Sequence, residues 1–351
     1  MATMIIEGER TKAVSGKTYE VRNPATGEVV DVVPAGGPAD VDKAAQAAAK
    51  AFTTWSKLAP AKRAEILHKA AHHMLGKVEE IAPILTKEQG KTLLESRLEA
   101  QRFGENIAWF ADLADKVHGQ HVVLPDTTTY GLVIRMPIGV CGAIVPWNFP
   151  LTLAANKIAP AIAAGNTVVL KPASTTPLST LACIEALIEG GLPEGVVNVV
   201  LGTATGEAMV DHPLIRKIAL TGSTPTGKKV MARAAEGLKK ITLGLGGSDP
   251  CIVLDDADLD LALTAVAFGA VGTAGQRCTS TRRLILQKGI AEKFTQRLAR
   301  AYSTVRIGNP LDEGPLMGPL LAEDPVQAFK EGVAPDKPPG GGPGYGGEWV
   351  G

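Results

Sequence analysis

The sequence predicts an α/β protein built on a parallel β-sheet. The first observation is a regular alternation of short apolar strands and helical segments between residues 137 and 236, which is typical of βαβ units. The second is the pattern of residues 39–113, where apolar residues recur at the spacing of helices. The third is Cys278, which lies between an apolar helical run and a basic strand.

Composition limits the class of protein. A length of 351 residues favours two domains, and an apolar fraction of 45% is enough for sizeable cores. The 36 basic residues balance the 36 acidic ones, which argues against nucleic acid or an anionic membrane as a partner. The first residues do not resemble a signal peptide, and we find no apolar run long enough to span a bilayer.

The cysteines and histidines indicate no metal site. The four cysteines lie far apart without Cys-x-x-Cys spacing, and the six histidines show no metal-ligand spacing. We therefore expect free thiols and a cytoplasmic location, because disulfides are rare in a reducing compartment.

The first third predicts two hairpins and a helical layer. Residues 17–35 alternate around the turn Asn23–Glu28, which is typical of a hairpin. Asp40 begins a helix that ends at Trp55, and further helices are predicted at Pro60–Lys77, Val78–Gly90 and Lys91–Leu113. Residues 121–135 indicate a second, exposed hairpin, for which contact with another subunit is plausible.

The ends of the predicted parallel strands offer candidate binding residues. Ligands of such sheets bind beyond the carboxyl ends of the strands. Gly222 and Ser223 precede a helix whose free amides suit a phosphate, although such caps are common, and Lys171 follows another strand. The standard Gly-x-Gly-x-x-Gly fingerprint is absent.

Two further residues suggest chemistry. Asn148 lies in Pro146–Pro150, where its amide could stabilise an oxyanion; the alternative is a rigid turn. Cys278 follows Arg277, and cationic neighbours favour the nucleophilic thiolate; the alternative is a buried core cysteine.

Five motifs in order resemble the NAD(P)-dependent aldehyde dehydrogenase superfamily. They are Pro146–Pro150, Leu170–Ala173, Leu220–Thr224, Leu245–Gly247 and Gly275–Cys278. The resemblance covers the chain from about Tyr19 to Leu320.

The resemblance implies a role for each matching residue. Cys278 is the nucleophile that attacks an aldehyde, and Asn148 with the Cys278 amide forms the oxyanion hole. Trp147 and Leu245 belong to the cofactor site, Lys171 contacts the adenosine ribose, and Gly222 and Ser223 the pyrophosphate. Ser174 stands where members that prefer NAD often have Glu, so NADP should be tolerated as well as NAD.

The resemblance also implies a domain organisation. A Rossmann-like cofactor domain takes residues 1–120 and 136–246, and the hairpin 121–135 serves homo-oligomerisation. A partial α/β catalytic domain takes residues 247–330. Residues 331–351 are rich in Pro and Gly, which predicts a disordered tail.

The sequence departs from the family pattern at Gly244, after Pro319 and, more mildly, in the short loop Gly202–Gly206. Gly244 stands where the family has the glutamate that activates the hydrolytic water, so we expect impaired deacylation. After Pro319 the chain departs from the family's further strands and helices, which we interpret as a truncation, a deletion or a reading-frame accident.

Three functions follow. The leading hypothesis is an NAD(P)-dependent dehydrogenase that oxidises an aldehyde, such as a semialdehyde, through a thioester on Cys278. The alternatives are a non-catalytic nucleotide-binding protein and a CoA-acylating dehydrogenase. The pair Arg282–Arg283 could select an anionic semialdehyde, but a structural or solvated role is favoured.

Overall fold

The computed structural model describes residues 2–126, 128–323, 326, 327 and 330, and the chain forms two compact units. The first unit comprises Met1–Val21, Asp31–Ile84 and Arg97–Gly244, and the second comprises Arg22–Val30, Leu85–Ser96 and Leu245–Gly351. Residues 22–30 and 85–96, which the sequence analysis places in the cofactor domain, therefore group with the second unit.

The first third contains short strands and four helices. The elements are β1 (Met4–Ile6), β2 (Glu9–Thr11), β3 (Thr18–Arg22), β4 (Val29–Pro34), α1 (Pro38–Trp55), α2 (Pro60–Leu75), α3 (Val78–Gln89), α4 (Leu93–Asp112), β5 (Gln120–Val122) and β6 (Gly131–Val133). Strands β3 and β4 form one two-stranded sheet, and β5 pairs antiparallel with β6 in another. Both predicted hairpins and the four predicted helices are thus confirmed.

The start of α1 shows why the chain turns helical there. The N-cap is Gly37, and the buried carboxylate of Asp40 accepts a hydrogen bond from the Gly37 amide at 2.9 Å. The other oxygen of Asp40 accepts from the amide of Val14 at 3.0 Å. Asp40 therefore satisfies a free amide at the helix start and fixes the preceding loop.

A mixed seven-stranded sheet organises the first unit. The elements that follow the hairpin are β7 (Val140–Ile144), α5 (Pro150–Ala163), β8 (Thr167–Lys171), α6 (Leu178–Glu189), β9 (Val197–Val199), α7 (Ala204–Asp211), β10 (Ile215–Gly222), α8 (Thr224–Glu236) and β11 (Lys240–Leu245). The strand order is β11-β10-β7-β8-β9-β1-β2, and β10, β7, β8 and β9 run parallel. The predicted parallel sheet is confirmed, and β1 and β2 extend it with antiparallel pairs.

The path of the chain reverses direction at β7. From β7 the chain moves outward through β8 to β9, and β10 then returns to the other side of β7. The carboxyl ends of β7 and β10 therefore flank a topological switch point, which is where open α/β sheets bind ligands.

The second unit has a small parallel sheet and two helices. After β11 come β12 (Asp249–Val253), α9 (Leu259–Val271), a 3₁₀ turn (Gly272–Gly275), β13 (Thr281–Leu286) and α10 (Lys288–Ser303), and β12 pairs parallel with β13. Val253, Val266 and Phe294 belong to its buried core. Cys278 lies between the 3₁₀ turn and β13, as the sequence predicts.

Parts of two predictions lie outside the described residues. These are the Pro/Gly-rich segment 331–351 and Thr127, at the bend of the second hairpin. In the described part of the chain, no helix combines the length and the apolar character that crossing a membrane requires.

Candidate active site

Three neighbouring strands of the first unit end in sequence-predicted binding residues. Trp147 and Asn148 follow β7, Lys171 and Ser174 lie at and after the end of β8, and Gly222 and Ser223 join β10 to α8. Because the order is β10-β7-β8 and the strands are parallel, their carboxyl ends meet at one edge of the sheet. The structure therefore brings these six residues to one edge, beside the switch point.

Ser223 caps the helix that begins at this edge. Its hydroxyl oxygen accepts a hydrogen bond from the Thr226 amide at 3.4 Å and lies 2.9 Å from the Thr226 hydroxyl. The residue is exposed, and a proline follows in the first turn of α8. The first amides of a helix have no partner within it and carry a partial positive charge, so the start of α8 suits a phosphate.

Lys171 adds a cation at the same edge. Its Nζ donates to the carbonyl oxygen of Pro172 at 3.2 Å, and burial lowers the pKa of Lys171. A Cβ atom on Gly206 would lie 3.5 Å from Cδ and Cε of Lys171, so the lysine side chain packs beside this glycine. Among the residues that the structure describes, no carboxylate pairs with Lys171. A partly buried cation at the same sheet edge as a helix start fits the phosphates and riboses of a dinucleotide.

Asn148 lies in a turn that a buried glutamate supports. The Asn148 side-chain oxygen accepts from the Phe149 amide at 3.0 Å, which orients the side chain. Glu99, on α4, is 2% exposed and accepts from the amides of Leu151 and Thr152 at 2.9 and 3.1 Å. Its negative charge thus stabilises the start of α5 directly after the turn. Sequence reasoning missed Glu99, because its partners lie some fifty positions away.

Gly244 faces a polar pair in the first unit. A side chain at this position of β11 would begin 3.1 Å from the hydroxyl oxygen of Thr221. The ammonium of Lys157, on α5, donates to that same oxygen, and burial lowers the pKa of Lys157 to about 8. Leu245, the next residue along β11, is partly buried in the second unit. Nothing in the sequence distinguishes Lys157 from an ordinary polar position of a helix.

Cys278 is the exposed thiol among four free cysteines. Cys183 is fully buried, and Cys251 is of intermediate exposure. Cys141 is buried in β7, and this burial raises the pKa of its thiol to about 11, which makes it unreactive near neutral pH. The alternative of Cys278 as a core cysteine is thus excluded.

The two arginines after Cys278 bond to the backbone of the second unit. Arg282 donates to the carbonyl oxygens of Gly275 and Arg277 at 3.1 and 3.3 Å. Arg283 donates to the carbonyl oxygen of Ser248 at 2.7 Å. These bonds support the structural interpretation of the pair over the selection of an anionic substrate.

Comparison with known proteins decides the family. The sequence model that describes the aldehyde dehydrogenase family matches residues 11–350 of this chain. The chain belongs to the aldehyde dehydrogenase family. The resemblance inferred from the five motifs is confirmed, and the match extends beyond the stretch from Tyr19 to Leu320 on both sides.

The chain is similar in sequence to aldehyde dehydrogenases that are named for different substrates. It is 42% identical to 3-sulfolactaldehyde dehydrogenase of Pseudomonas putida, over 94% of this chain and 68% of that protein. It is 40% identical to the NADP(+) succinate-semialdehyde dehydrogenase GabD of Escherichia coli, over 94% and 69%. The chain thus spans about two thirds of the length of these relatives.

Solved structures agree with the fold. An NADP-dependent enzyme of Escherichia coli superposes with a TM-score of 0.93 at 39% identity, over 94% of this chain and 69% of that one. Betaine aldehyde dehydrogenase of Staphylococcus aureus, solved with NAD+, gives a TM-score of 0.90 at 34% identity, over 94% and 67%. The predicted α/β fold with a Rossmann-like domain is therefore confirmed.

Proposed function

We propose that this aldehyde dehydrogenase oxidises an aldehyde to the carboxylate with NAD or NADP. The observation that carries the proposal is the edge of the first unit, where a capped helix start and the partly buried Lys171 flank a switch point. Family relatives that use NADP+ and NAD+ support the choice of cofactor.

Cys278 starts the reaction in this proposal. Its sulfur adds to the carbonyl carbon, which forms a C–S bond and places a negative charge on the oxygen. Asn148 and the Cys278 amide donate hydrogen bonds to that oxygen. Bound NAD(P) would supply the acceptor for the hydride of the same carbon, and loss of that hydride would restore the C=O bond and leave a thioester on the Cys278 sulfur.

Other residues bind and orient the cofactor. We assign the pyrophosphate to Gly222, Ser223 and the first amides of α8, and the adenosine ribose to Lys171. Trp147 and Leu245 belong to the walls of the cofactor site. Ser174 carries no charge, so it would not repel a 2′-phosphate, and both NAD and NADP should bind.

Release of the product is the slow step of the proposed reaction. Hydrolysis of a thioester needs a water from which a base removes a proton, and Gly244 has no group that can do so. Loss of a general base typically lowers a rate by about 10²–10⁴-fold. We therefore expect the acyl group to stay on Cys278 for many times longer than it takes to form.

We infer that the substrate is an aldehyde with an anionic group at its other end. The support comes from relatives named for 3-sulfolactaldehyde, succinate semialdehyde and glutarate semialdehyde. A matched pair of aldehydes tests this choice. Succinate semialdehyde should react at least tenfold faster than butyraldehyde, which has the same number of carbons and no charge.

One experiment tests the function. Stoichiometric protein is mixed with aldehyde and NAD or NADP, reduced cofactor is followed by absorbance, and the intact mass is measured. We expect a burst of about one equivalent and an acyl adduct on Cys278. The variant Cys278→Ala should show neither, whereas Cys251→Ala should behave as the wild type. An absent burst with intact Cys278 would refute the proposal.

Two other functions predict different results. A non-catalytic nucleotide-binding protein, favoured by the glycine at position 244, would bind NAD(P) and give no adduct. A CoA-acylating dehydrogenase would form the adduct and turn over only when CoA is added, because the thiol of CoA takes the acyl group from the sulfur.

The larger organisation is also part of the proposal. We assign residues 1–120 and 136–246 to the cofactor domain, apart from residues 22–30 and 85–96, which group with the second unit, and residues 247–330 to the catalytic domain. The hairpin 121–135 would join subunits of a homo-oligomer, since it exposes large apolar side chains. The exposed thiol and the three further free cysteines fit a reducing cytoplasm.

A further inference from the structure

A single carboxylate joins two segments of the second unit. Glu95, at the start of α4, exposes 16% of its side chain. Oε1 accepts hydrogen bonds from the Thr273 amide at 2.8 Å and the Thr273 hydroxyl at 3.0 Å, and from Arg277 at 3.3 Å. Oε2 accepts from the amide and hydroxyl of Thr92 at 3.2 and 3.1 Å. The two bonds with Thr92 form an ordinary cap of α4. The bonds of Oε1 reach a segment that is distant in sequence and have no role in that cap.

The segment that Glu95 binds has a strained backbone. Thr273 and Ala274 have φ angles of 53° and 54°, the left-handed region that residues with a side chain rarely adopt. Thr273 is also 2% exposed, so its amide and hydroxyl need acceptors within the protein. Glu95 supplies both, and it thereby stabilises a turn that the local sequence disfavours.

The same carboxylate fixes the residue before Cys278. The guanidinium of Arg277 lies between Glu95 and the ring of Phe268, whose centroid is 4.6 Å from Cζ. A side chain on Gly272 would begin 2.5 Å from the guanidinium, so the glycine leaves the space that Arg277 fills. The turn and Arg277 are therefore both anchored to Glu95, and Cys278 follows directly.

We propose that Glu95 is the positioning residue of the Cys278 loop. It fixes the turn Gly272–Gly275 and pairs with Arg277, and so sets where the sulfur lies. The role rests on the proposed function of Cys278 as the nucleophile.

The test compares Glu95→Gln with Glu105→Gln, a matched change at an exposed position of the same helix. Hydrogen exchange of the amides of residues 271–280 is measured by mass spectrometry, and so is alkylation of Cys278 by iodoacetamide at pH 7. In Glu95→Gln we expect exchange at least tenfold faster and alkylation at least threefold faster. The loop opens, so its amides exchange with solvent and its sulfur meets the reagent more often. Glu105→Gln should change neither rate.

Two further variants separate positioning from general stability. Ala274→Gly relieves the strain of the turn, because glycine adopts positive φ freely, and in the Glu95→Gln background it should return exchange to within threefold of the wild type. Glu95→Asp keeps the charge on a shorter side chain and should give intermediate rates, which also covers a failure of Glu95→Gln to fold.

The outcomes are distinct. Wild-type exchange and alkylation in Glu95→Gln would overturn the positioning role, as would equal acceleration in the peptides of β7 and β8. Absence of an aldehyde adduct in the wild type would refute the proposed function and leave these exchange and alkylation results standing.

Discussion

Lys157 donates a hydrogen bond to the hydroxyl oxygen of Thr221, and the backbone of Gly244 faces this pair in the first unit. The ammonium is partly buried and donates to a neutral hydroxyl, and burial lowers the pKa of Lys157 to about 8. A carboxylate at position 244 would therefore enter a site that already contains a cation, which favours the ionised acid that a general base requires.

The first prediction concerns Gly244→Glu. It should raise hydrolytic turnover by about 10²-fold or more, because the glutamate can take a proton from the attacking water. The first side-chain atom meets the Thr221 hydroxyl at 3.1 Å, which rotation of the threonine can relieve. The measurement is the steady-state formation of reduced cofactor after the burst.

Gly244→Gln is the control for that variant. It has nearly the same size and no basic oxygen of comparable strength, so it should form the adduct and hydrolyse it no faster than the wild type. If Gly244→Glu acylates normally and shows no gain over Gly244→Gln, the assignment of position 244 to the missing base is wrong.

The second prediction concerns Lys157 and pH. The folded pKa of Lys157, about 8, is below its usual 10.5, so the unfolded chain binds more protons between these values. The wild type should therefore gain stability as the pH rises from 8 to 10.5, and below pH 8 it bears the full cost of the buried charge.

Lys157→Met removes that cost. The variant should be more stable than the wild type at pH 7, by about 1 kcal/mol after allowance for solvent screening, and the difference should shrink by pH 10. Urea unfolding at both pH values measures it. A difference that stays constant between pH 7 and pH 10 would show that Lys157 titrates normally.

The third prediction concerns cofactor choice at Ser174. A carboxylate there would repel the 2′-phosphate of NADP, so Ser174→Glu should weaken NADP binding at least tenfold and change NAD binding less than threefold. Ser174→Gln has a similar size without the charge and should leave NADP binding near the wild-type value. Titration calorimetry gives both affinities. Equal losses of NAD and NADP would show that the change blocks the site by size.

The sequence predicts the elements whose structure follows from the local pattern of apolar and polar residues. The strands β7 and β8 are mostly apolar and almost fully buried, as is typical of parallel strands that are covered on both faces. The strands β1 and β2 were missed, since three residues are too few for an alternation to show. The site residues at the sheet edge were found through motifs that stand directly after predicted strands.

The residues that support the site could not be found in this way. Glu95 bonds to Thr273 across 178 positions, and Glu99 to Leu151 across 52. In the helical pattern of the sequence, both glutamates occupy positions that are typical of solvent-exposed side chains. Only the folded chain shows that each accepts hydrogen bonds from backbone amides. The positive φ of Thr273 likewise follows from tertiary contacts and contradicts the preference of a threonine.

The fourth prediction uses Glu99. The variant Glu99→Ala removes the acceptor of the Leu151 and Thr152 amides. Because the Leu151 amide is buried, we expect the free energy of unfolding to fall by about 2 kcal/mol. Glu105→Ala, on the exposed side of the same helix, should change the free energy of unfolding by less than about 0.5 kcal/mol, as is usual for surface sites. Denaturant titration measures both. Equal effects of the two variants would contradict the role of Glu99.

The fifth prediction concerns the hairpin of β5 and β6. Val123, Tyr130 and Leu132 are 85%, 79% and 68% exposed, and such a cluster of large apolar side chains marks an association surface. If it joins subunits, Leu132→Asp places a charge in the contact and should weaken association at least 100-fold, since burying an unpaired charge is costly. Leu238→Asp is the matched control, because Leu238 is 91% exposed elsewhere in the first unit. Light scattering after size exclusion reports the mass, and a wild type that is monomeric at micromolar concentration would refute the assignment of the hairpin to oligomerisation.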